Sequence, residues 1–114
     1  MKRGTIILAK FPFTDLSGSK RRPAIVLSPS SSKDGDFIVA FISSKTDNLS
    51  SKYDLLLNIS DSGFAQTGLK QNSIIRMDKL ATLHTSVISG ELGSLPKTRI
   101  GELNTKLELA LGLR

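Results

Sequence analysis

Short apolar runs alternate with polar segments along the chain, and they recur at a spacing of roughly ten residues. Thr5 to Phe11 is rich in β-branched and aromatic residues, whereas Ala24 to Ser28 and Phe37 to Ile42 are almost continuously apolar. Runs of this length and composition are typical of buried strands. The first part of the chain is therefore predicted to form three strands.

The later part of the chain predicts three more strands. Ser73 to Leu83 begins with β-branched residues, and Val87 to Leu92 is bracketed by Gly90 and Gly93. A half-buried strand is predicted where two sets of positions alternate, namely Leu55, Leu57 and Ile59 against Asp54, Leu56 and Asn58. The segments 12–22, 28–36, 43–54 and 60–68 are rich in Ser, Gly, Pro and Asp or otherwise polar, which predicts surface loops.

An amphipathic helix is predicted to close the chain. Pro96 suits a first helical turn, and Gly112 suits a stop. The apolar residues between them fall at helical spacing: Ile100, Leu103, Leu107, Ala110 and Leu111. Many short strands followed by one helix predict a mainly β (α+β) fold, a small and strongly curved antiparallel barrel with the helix packed on it.

Length and hydropathy indicate one ordinary domain over residues 1–114. The chain has 114 residues, 39% of them hydrophobic, and it has no apolar run that approaches the ~20 residues of a membrane span. The apolar stretch before Lys10 is too short for a signal peptide. We therefore expect a soluble, cytoplasmic protein without a membrane partner.

The residue types that are missing limit the possible chemistry. The chain has no cysteine and a single histidine, His84, which excludes thiolate nucleophiles and every site that needs cysteine or several histidines as metal ligands. No metal or other cofactor is predicted. Any catalysis must use carboxylates, hydroxyls, lysine and arginine.

Positive charge is concentrated near the N-terminus. The net charge is +6, and residues 1–22 contribute +5 of it through six basic residues against Asp15. Such clustering favours a polyanionic partner, with nucleic acid first and an acidic protein second. The alternative is that the charge serves solubility alone.

One basic segment can carry chemistry. In segment 12–22 small residues precede Lys20, Arg21 and Arg22, so backbone N–H groups and guanidinium groups can hold phosphate oxygens. Arg22 also precedes Pro23 and a buried strand, which anchors its base. A mobile, solvated loop is the alternative interpretation.

Arg76 and Asp78 stand two residues apart in a predicted strand, so their side chains share a face. A base, an acid and a cation can cut RNA without a metal, by attack of the 2′-hydroxyl on the phosphate. A plain ion pair is the alternative.

Ser43 ends a buried strand, where its hydroxyl can bind a phosphate oxygen or satisfy backbone groups.

The string GTIILAKFPFTDLSGSKRRPAIVLSP (4–29) resembles the opening signature of the MazF/PemK-like toxins of bacterial type II toxin–antitoxin pairs. The similarity continues through VAFISSKTDN (39–48), LKQNSIIRMDKLATL (69–83) and the terminal LALGL. The resemblance implies a homodimer with an SH3-like barrel, metal-independent cleavage of single-stranded RNA to 2′,3′-cyclic phosphate and 5′-hydroxyl ends, and a cognate antitoxin whose acidic tail blocks the groove.

The resemblance also implies roles for individual residues. Arg22 and Ser43 match a catalytic pair of one branch, with serine here in place of threonine, and Arg76 and Asp78 resemble the general acid and general base of another. The expected RNA contacts are Phe13, Asp15, Ser17, Ser19, Lys20, Arg21, Ser44 and Lys45. The competing hypotheses are a barrel that binds nucleic acid or protein without cutting, and a gyrase-inhibiting toxin on a similar fold.

Overall fold

Six antiparallel strands and a C-terminal helix form the part of the chain that the computed structural model describes, which is residues 1–10, 21–29, 31–47, 49–50 and 52–114. The strands are β1 (Thr5–Lys10), β2 (Arg21–Val26), β3 (Asp36–Ser43), β4 (Asp54–Leu57), β5 (Ser73–His84) and β6 (Ile88–Ser94), and the helix is α1 (Ile100–Ala110). Short 3-10 turns occupy Phe64–Thr67, Thr85–Val87 and Lys97–Arg99. All six predicted strands and the predicted helix are present.

The strands form one sheet in the order β4-β5-β3-β2-β1-β6. Every pair is antiparallel, with Ile6 opposite Ile25 in β1 and β2 and Val26 opposite Val39 in β2 and β3. Within the described residues β4 and β6 do not pair with each other, so the sheet is open. The mainly β class with a terminal helix is confirmed, while the predicted closure of the barrel is not observed.

Both faces of the sheet are buried, which explains the nearly continuous apolar runs of β1, β2 and β3. Successive residues of a strand point to opposite faces. On one face Ile6, Ile25 and Ile42 belong to the core cluster that also holds Leu103 of α1. On the other face Ile7, Ala24 and Val39 form a second cluster. A strand buried on both faces has no polar side to show in its sequence.

Helix α1 covers the first core cluster. Leu103 is completely buried, and the partly buried Ile100, Leu107 and Ala110 pack against the same cluster. The helix ends at Ala110. Leu111 was predicted to continue the apolar stripe, but it lies beyond the helix and is 53% exposed. In the described part of the chain no helix has the length and hydropathy needed to span a bilayer.

An irregularity in β5 shapes the region around the candidate residues. Ala40 of β3 pairs with Leu80, but the next residue, Phe41, pairs with Arg76. Residues 77–79 are therefore extra on the β5 side, which is a β-bulge that bends the strand and re-aims its side chains. The bulge lies immediately after Arg76 and contains Asp78.

The alternation predicted for β4 is wrong at both ends. Asp54 is only 4% exposed, whereas Ile59 is 60% exposed. The strand stops at Leu57 because a tight turn begins at Asn58, whose carbonyl accepts a hydrogen bond from Asp61 N at 2.9 Å and whose side chain accepts one from Ser60 N at 2.9 Å. Asn competes for backbone groups in this way and ends regular structure.

Candidate functional site

Arg22 lies at the start of β2, where the sequence had predicted the end of a surface loop. It pairs with Ala9 of β1 and is half-buried, whereas Arg21 beside it is exposed. Its guanidinium carbon lies 5.8 Å from the centroid of the Phe41 ring, within the range of a cation–π contact. Arg22 Nε is buried and has no hydrogen-bond partner among the described residues. A cation that is anchored in this way is suited to bind an anion.

A hollow of about 280 Å³ lies beside this guanidinium. Its described lining is Arg22, Phe41, Ser43, Ser44 and Lys45. Ser43 Oγ accepts a hydrogen bond from Lys45 N at 3.1 Å. Because a hydroxyl accepts and donates independently, the Ser43 proton remains able to bind an oxygen in the hollow. Four of the predicted residues, Arg22, Ser43, Ser44 and Lys45, are thus brought together.

Arg76 and Asp78 form the predicted pair. Arg76 Nε donates to Asp78 Oδ1 and Arg76 Nη2 to Asp78 Oδ2, both at 3.2 Å. The side chains are 28% and 41% exposed, so both groups reach solvent. The hydrogen bond lowers the pKa of Asp78 and raises the pKa of Arg76. The pair is therefore an ionised carboxylate beside a permanently charged guanidinium.

Strand register places the two groups of residues on one face of the sheet. Ala24 pairs with Phe41, and Phe41 pairs with Arg76, so these three residues point to the same side. Arg22 shares that side with Ala24, since they lie two positions apart. Arg76 and Asp78 do not line the 280 Å³ hollow. Arg22 and Ser43 therefore line one hollow, whereas Arg76 and Asp78 lie on a neighbouring part of the same face, with Phe41 between the two groups.

A second hollow, of about 350 Å³, adjoins the first and shares Arg22 and Ser44 with it. Its described basic residues are Arg21, Arg22 and Lys70, and its described lining contains no acidic residue. Gln71 and Leu69 also line it. Arg21 was predicted as an RNA contact. Lys70 and Gln71 were not, because their place beside β2 depends on how β5 folds back and no local pattern reveals it.

The remaining predicted RNA contacts, Phe13, Asp15, Ser17, Ser19 and Lys20, lie outside the described residues. His84 is exposed, and its ring Nδ1 lies 2.9 Å from Ser86 Oγ. Arg3, part of the N-terminal basic cluster, donates to Leu27 O at 2.8 Å and to Asn104 Oδ1 at 2.6 Å. Arg3 therefore ties the strand region to α1. In the described part of the chain no three His, Asp or Glu residues are grouped to hold a metal ion.

Comparison with known proteins identifies the family. The family model of the PemK-like, MazF-like toxins of type II toxin–antitoxin systems matches residues 2–111. The chain belongs to this family, as the sequence resemblance predicted. No curated protein matches the chain in sequence.

Solved structures with the same fold include proteins from mycobacteria and from Deinococcus radiodurans. An endoribonuclease in complex with its cognate antitoxin, from a mycobacterial species, has a TM-score of 0.74 at 21% identity, over 100% of this chain and 97% of that chain. MazF from Deinococcus radiodurans has a TM-score of 0.74 at 22% identity, over 98% and 96%. The Mycobacterium tuberculosis toxin MazF-mt6 has a TM-score of 0.69 at 19% identity, over 96% and 98%. These likenesses confirm the fold class.

Proposed function

We propose that this chain is an endoribonuclease toxin that cuts single-stranded RNA at specific short sequences without a metal ion. The observation that carries the proposal is the shared sheet face that presents Arg22 and Ser43 next to Arg76 and Asp78. Two guanidinium groups, a hydroxyl and an ionised carboxylate supply what cleavage of a phosphodiester by its own 2′-hydroxyl requires.

In the proposed reaction Asp78 removes the proton of the 2′-hydroxyl, and the 2′-oxygen attacks the adjacent phosphorus. A bond forms between the 2′-oxygen and phosphorus, and the bond from phosphorus to the 5′-oxygen breaks. The departing 5′-oxygen takes up a proton from Arg76, and exchange with water then returns a proton to Arg76 and removes the one held by Asp78. The products are a 2′,3′-cyclic phosphate and a 5′-hydroxyl, and no oxidant, reductant or metal takes part.

Arg22 and Ser43 hold the scissile phosphate in this proposal, since they line the same hollow. The negative charge of the phosphorane develops between two fixed guanidinium groups, where it is stabilised without rearrangement of solvent. The assignment of Asp78 as base and Arg76 as acid stays a prediction.

The RNA strand is proposed to run across the two adjoining hollows. Ser44 and Lys45 lie in the first and Arg21 in the second, and Ser44 joins them. Basic side chains hold the phosphates, whereas the apolar walls accept unstacked bases. Contacts in these hollows would select the sequence that is cut.

A homodimer and an antitoxin with an acidic tail belong to the same proposal. The net charge of +6 and the basic lining of both hollows favour an acidic peptide as the inhibitor, which would compete with RNA for the same face. We place the protein in the cytoplasm, where RNA and a toxin–antitoxin pair would meet.

Incubation of the purified protein with end-labelled single-stranded RNA in EDTA tests the proposal. We expect cleavage at a small set of sequences, with cyclic phosphate on one fragment and a 5′-hydroxyl on the other. Retention of intact RNA would favour a binding barrel instead. Inhibition of gyrase by a protein that leaves RNA intact would favour the gyrase-directed alternative.

A further inference from the structure

Asp54, at the start of β4, is a buried carboxylate that the proposed reaction does not use. The residue is 4% exposed, and among the described residues it is the only charged one that is buried. An ion is costly to bury unless an opposite charge and hydrogen bonds compensate it. The neighbours of its two oxygens therefore indicate why a charge is placed here.

The two oxygens of Asp54 face different groups. Oδ2 accepts a hydrogen bond from the backbone N–H of Ser50 at 2.8 Å. Oδ1 is buried, has no hydrogen-bond partner among the described residues, and lies 3.5 Å from Arg76 Nε. The contact follows from the register of β4 and β5, in which Asp54 is paired with Arg76. The Arg76 guanidinium is thus the cation that faces the buried oxygen.

Arg76 is consequently shared between two carboxylates of different exposure. The side chain of Asp78 is 41% exposed, and that of Asp54 is 2% exposed. Solvent and salt weaken the attraction between Arg76 and the exposed Asp78. The apolar surroundings of the buried Asp54 strengthen its attraction to Arg76. Arg76 therefore keeps a buried counter-charge, Asp54, when Asp78 turns toward a substrate hydroxyl.

We propose that Asp54 is a positioning residue, which holds the Arg76 guanidinium against the RNA-binding face while Asp78 takes the substrate proton. The proposal rests on the proposed RNA cleavage, because only in that reaction does the position of Arg76 control turnover. The hydrogen bond to Ser50 offers a competing explanation, in which Asp54 only closes a turn. The experiments below separate the two.

Asp54→Asn and Asp54→Ala separate charge from turn closure. Asparagine keeps an oxygen for the Ser50 N–H but removes the charge that faces Arg76, and alanine removes both. We expect Asp54→Asn to lower kcat on the order of 10- to 100-fold, with KM within about twofold of the original and little change in Tm. Asp54→Ala should lose as much kcat and also lower Tm. Native kcat in Asp54→Asn would overturn the positioning role.

A second arm tests the pair without relying on RNA cleavage. Arg76→Ala leaves Asp54 as a buried anion with no facing cation, which destabilises the fold. Adding Asp54→Asn to Arg76→Ala should then raise Tm, by on the order of 5 °C. The same substitution in the native chain should leave Tm unchanged or lower it. An equal effect of Asp54→Asn in both backgrounds would overturn the pairing.

Asp61 supplies a matched control. Its Oδ2 accepts a hydrogen bond from the backbone N–H of Asn58 at 2.9 Å and lies 3.3 Å from Arg99 Nη1, but its side chain is 38% exposed. Because the cation that faces Asp61 is Arg99 and not Arg76, Asp61→Asn should shift Tm equally with and without Arg76→Ala. If the native chain cuts no RNA, the proposed function fails, whereas the Tm comparison still decides whether Asp54 and Arg76 form a pair. If the native chain and Asp54→Asn cut equally, only the positioning role fails.

Discussion

At the scale of single residues, the proposed RNA cleavage depends on guanidinium groups whose surroundings are fixed. Arg22 is held by its strand and by the Phe41 ring, and Arg76 is held by Asp78 and Asp54. Neither arginine depends on a long, free side chain to find its position. A rigid cation loses little conformational entropy when it binds a phosphate, so its full charge is available to the transition state.

Arg22→Ala should lower RNA cleavage by on the order of 10²-fold or more while the fold is kept, because it removes a cation from the hollow that holds the phosphate. Initial rates on a labelled RNA, together with circular dichroism, measure both quantities. Arg114→Ala is the matched control, since Arg114 is an exposed arginine that contacts Glu108 and lines neither hollow. An Arg22→Ala protein as active as Arg114→Ala would refute the assignment.

Asp78→Asn should reduce turnover by about 10²- to 10⁴-fold, the usual contribution of a positioned general base. The variant keeps the size of the side chain and an oxygen for Arg76, so RNA binding should persist. Single-turnover cleavage beside fluorescence anisotropy of bound RNA measures the two effects. Unchanged turnover would assign the proton to another group or to solvent.

The pH dependence of Asp78 follows from its pairing. The hydrogen bond from Arg76 lowers the pKa of Asp78, so the carboxylate should stay ionised between about pH 5 and pH 8 and should add no acidic limb to the rate in that range. Arg76→Gln removes the positive charge, and the pKa of Asp78 should then rise. NMR titration of the side-chain carboxyl carbon follows this shift without an activity assay. A pKa of Asp78 that is equal in both proteins would contradict the pairing.

At the scale of elements, much of the fold is readable from local pattern. The β-branched runs predicted the strands, and the spacing of Leu103 and Leu107 predicted the helix. The end of β4 was missed because the turn-forming property of Asn58 outweighs the alternation that Ile59 continues. A closed barrel was predicted, but the described sheet is open. No local sequence pattern indicates whether two distant strands such as β4 and β6 pair.

The candidate site also has one contact that the sequence predicted and one that it did not. Arg76 and Asp78 were predictable as a pair because strand geometry alone brings positions two apart together. The contact of Asp54 with Arg76 was not, since it depends on the register between β4 and β5. Sequence pattern therefore indicates which groups share a strand face, but only the folded sheet shows what lies across it.

Leu103→Ala tests the packing of α1 on the sheet. Leu103 is fully buried in the first core cluster, so its truncation should lower the free energy of unfolding by about 2–5 kcal/mol. Urea denaturation measures the change. Leu113→Ala, at a position that is 70% exposed, should change it by less than about 0.5 kcal/mol. Equal effects of the two substitutions would contradict the observed packing.

At the scale of the whole molecule, the uneven charge and the two adjoining hollows form a surface that is suited to a polyanion. The net charge is +6, and the described lining residues of both hollows include basic side chains but no acidic one. A strand that follows this surface releases counterions, so its affinity depends on salt. The proposed acidic segment of an antitoxin would bind the same positive surface.

Lys70→Ala tests the extent of that surface. Loss of one phosphate contact should reduce the slope of log affinity against log salt by about 0.7 for single-stranded RNA. Fluorescence anisotropy over a range of salt concentrations gives the slope. Lys97→Ala serves as the comparison, because Lys97 is exposed and lines neither hollow. Equal slopes for the two variants would exclude Lys70 from the RNA path.

The central claim is that the substrate's own 2′-hydroxyl is the nucleophile on the face formed by Arg22, Ser43, Arg76 and Asp78. The most direct measurement uses one RNA and a copy with a single 2′-deoxy nucleotide at the cleavage position, both assayed in EDTA. We expect the two RNAs to bind with similar affinity and only the unmodified RNA to be cut. Cleavage of the deoxy-substituted RNA at that position would contradict it.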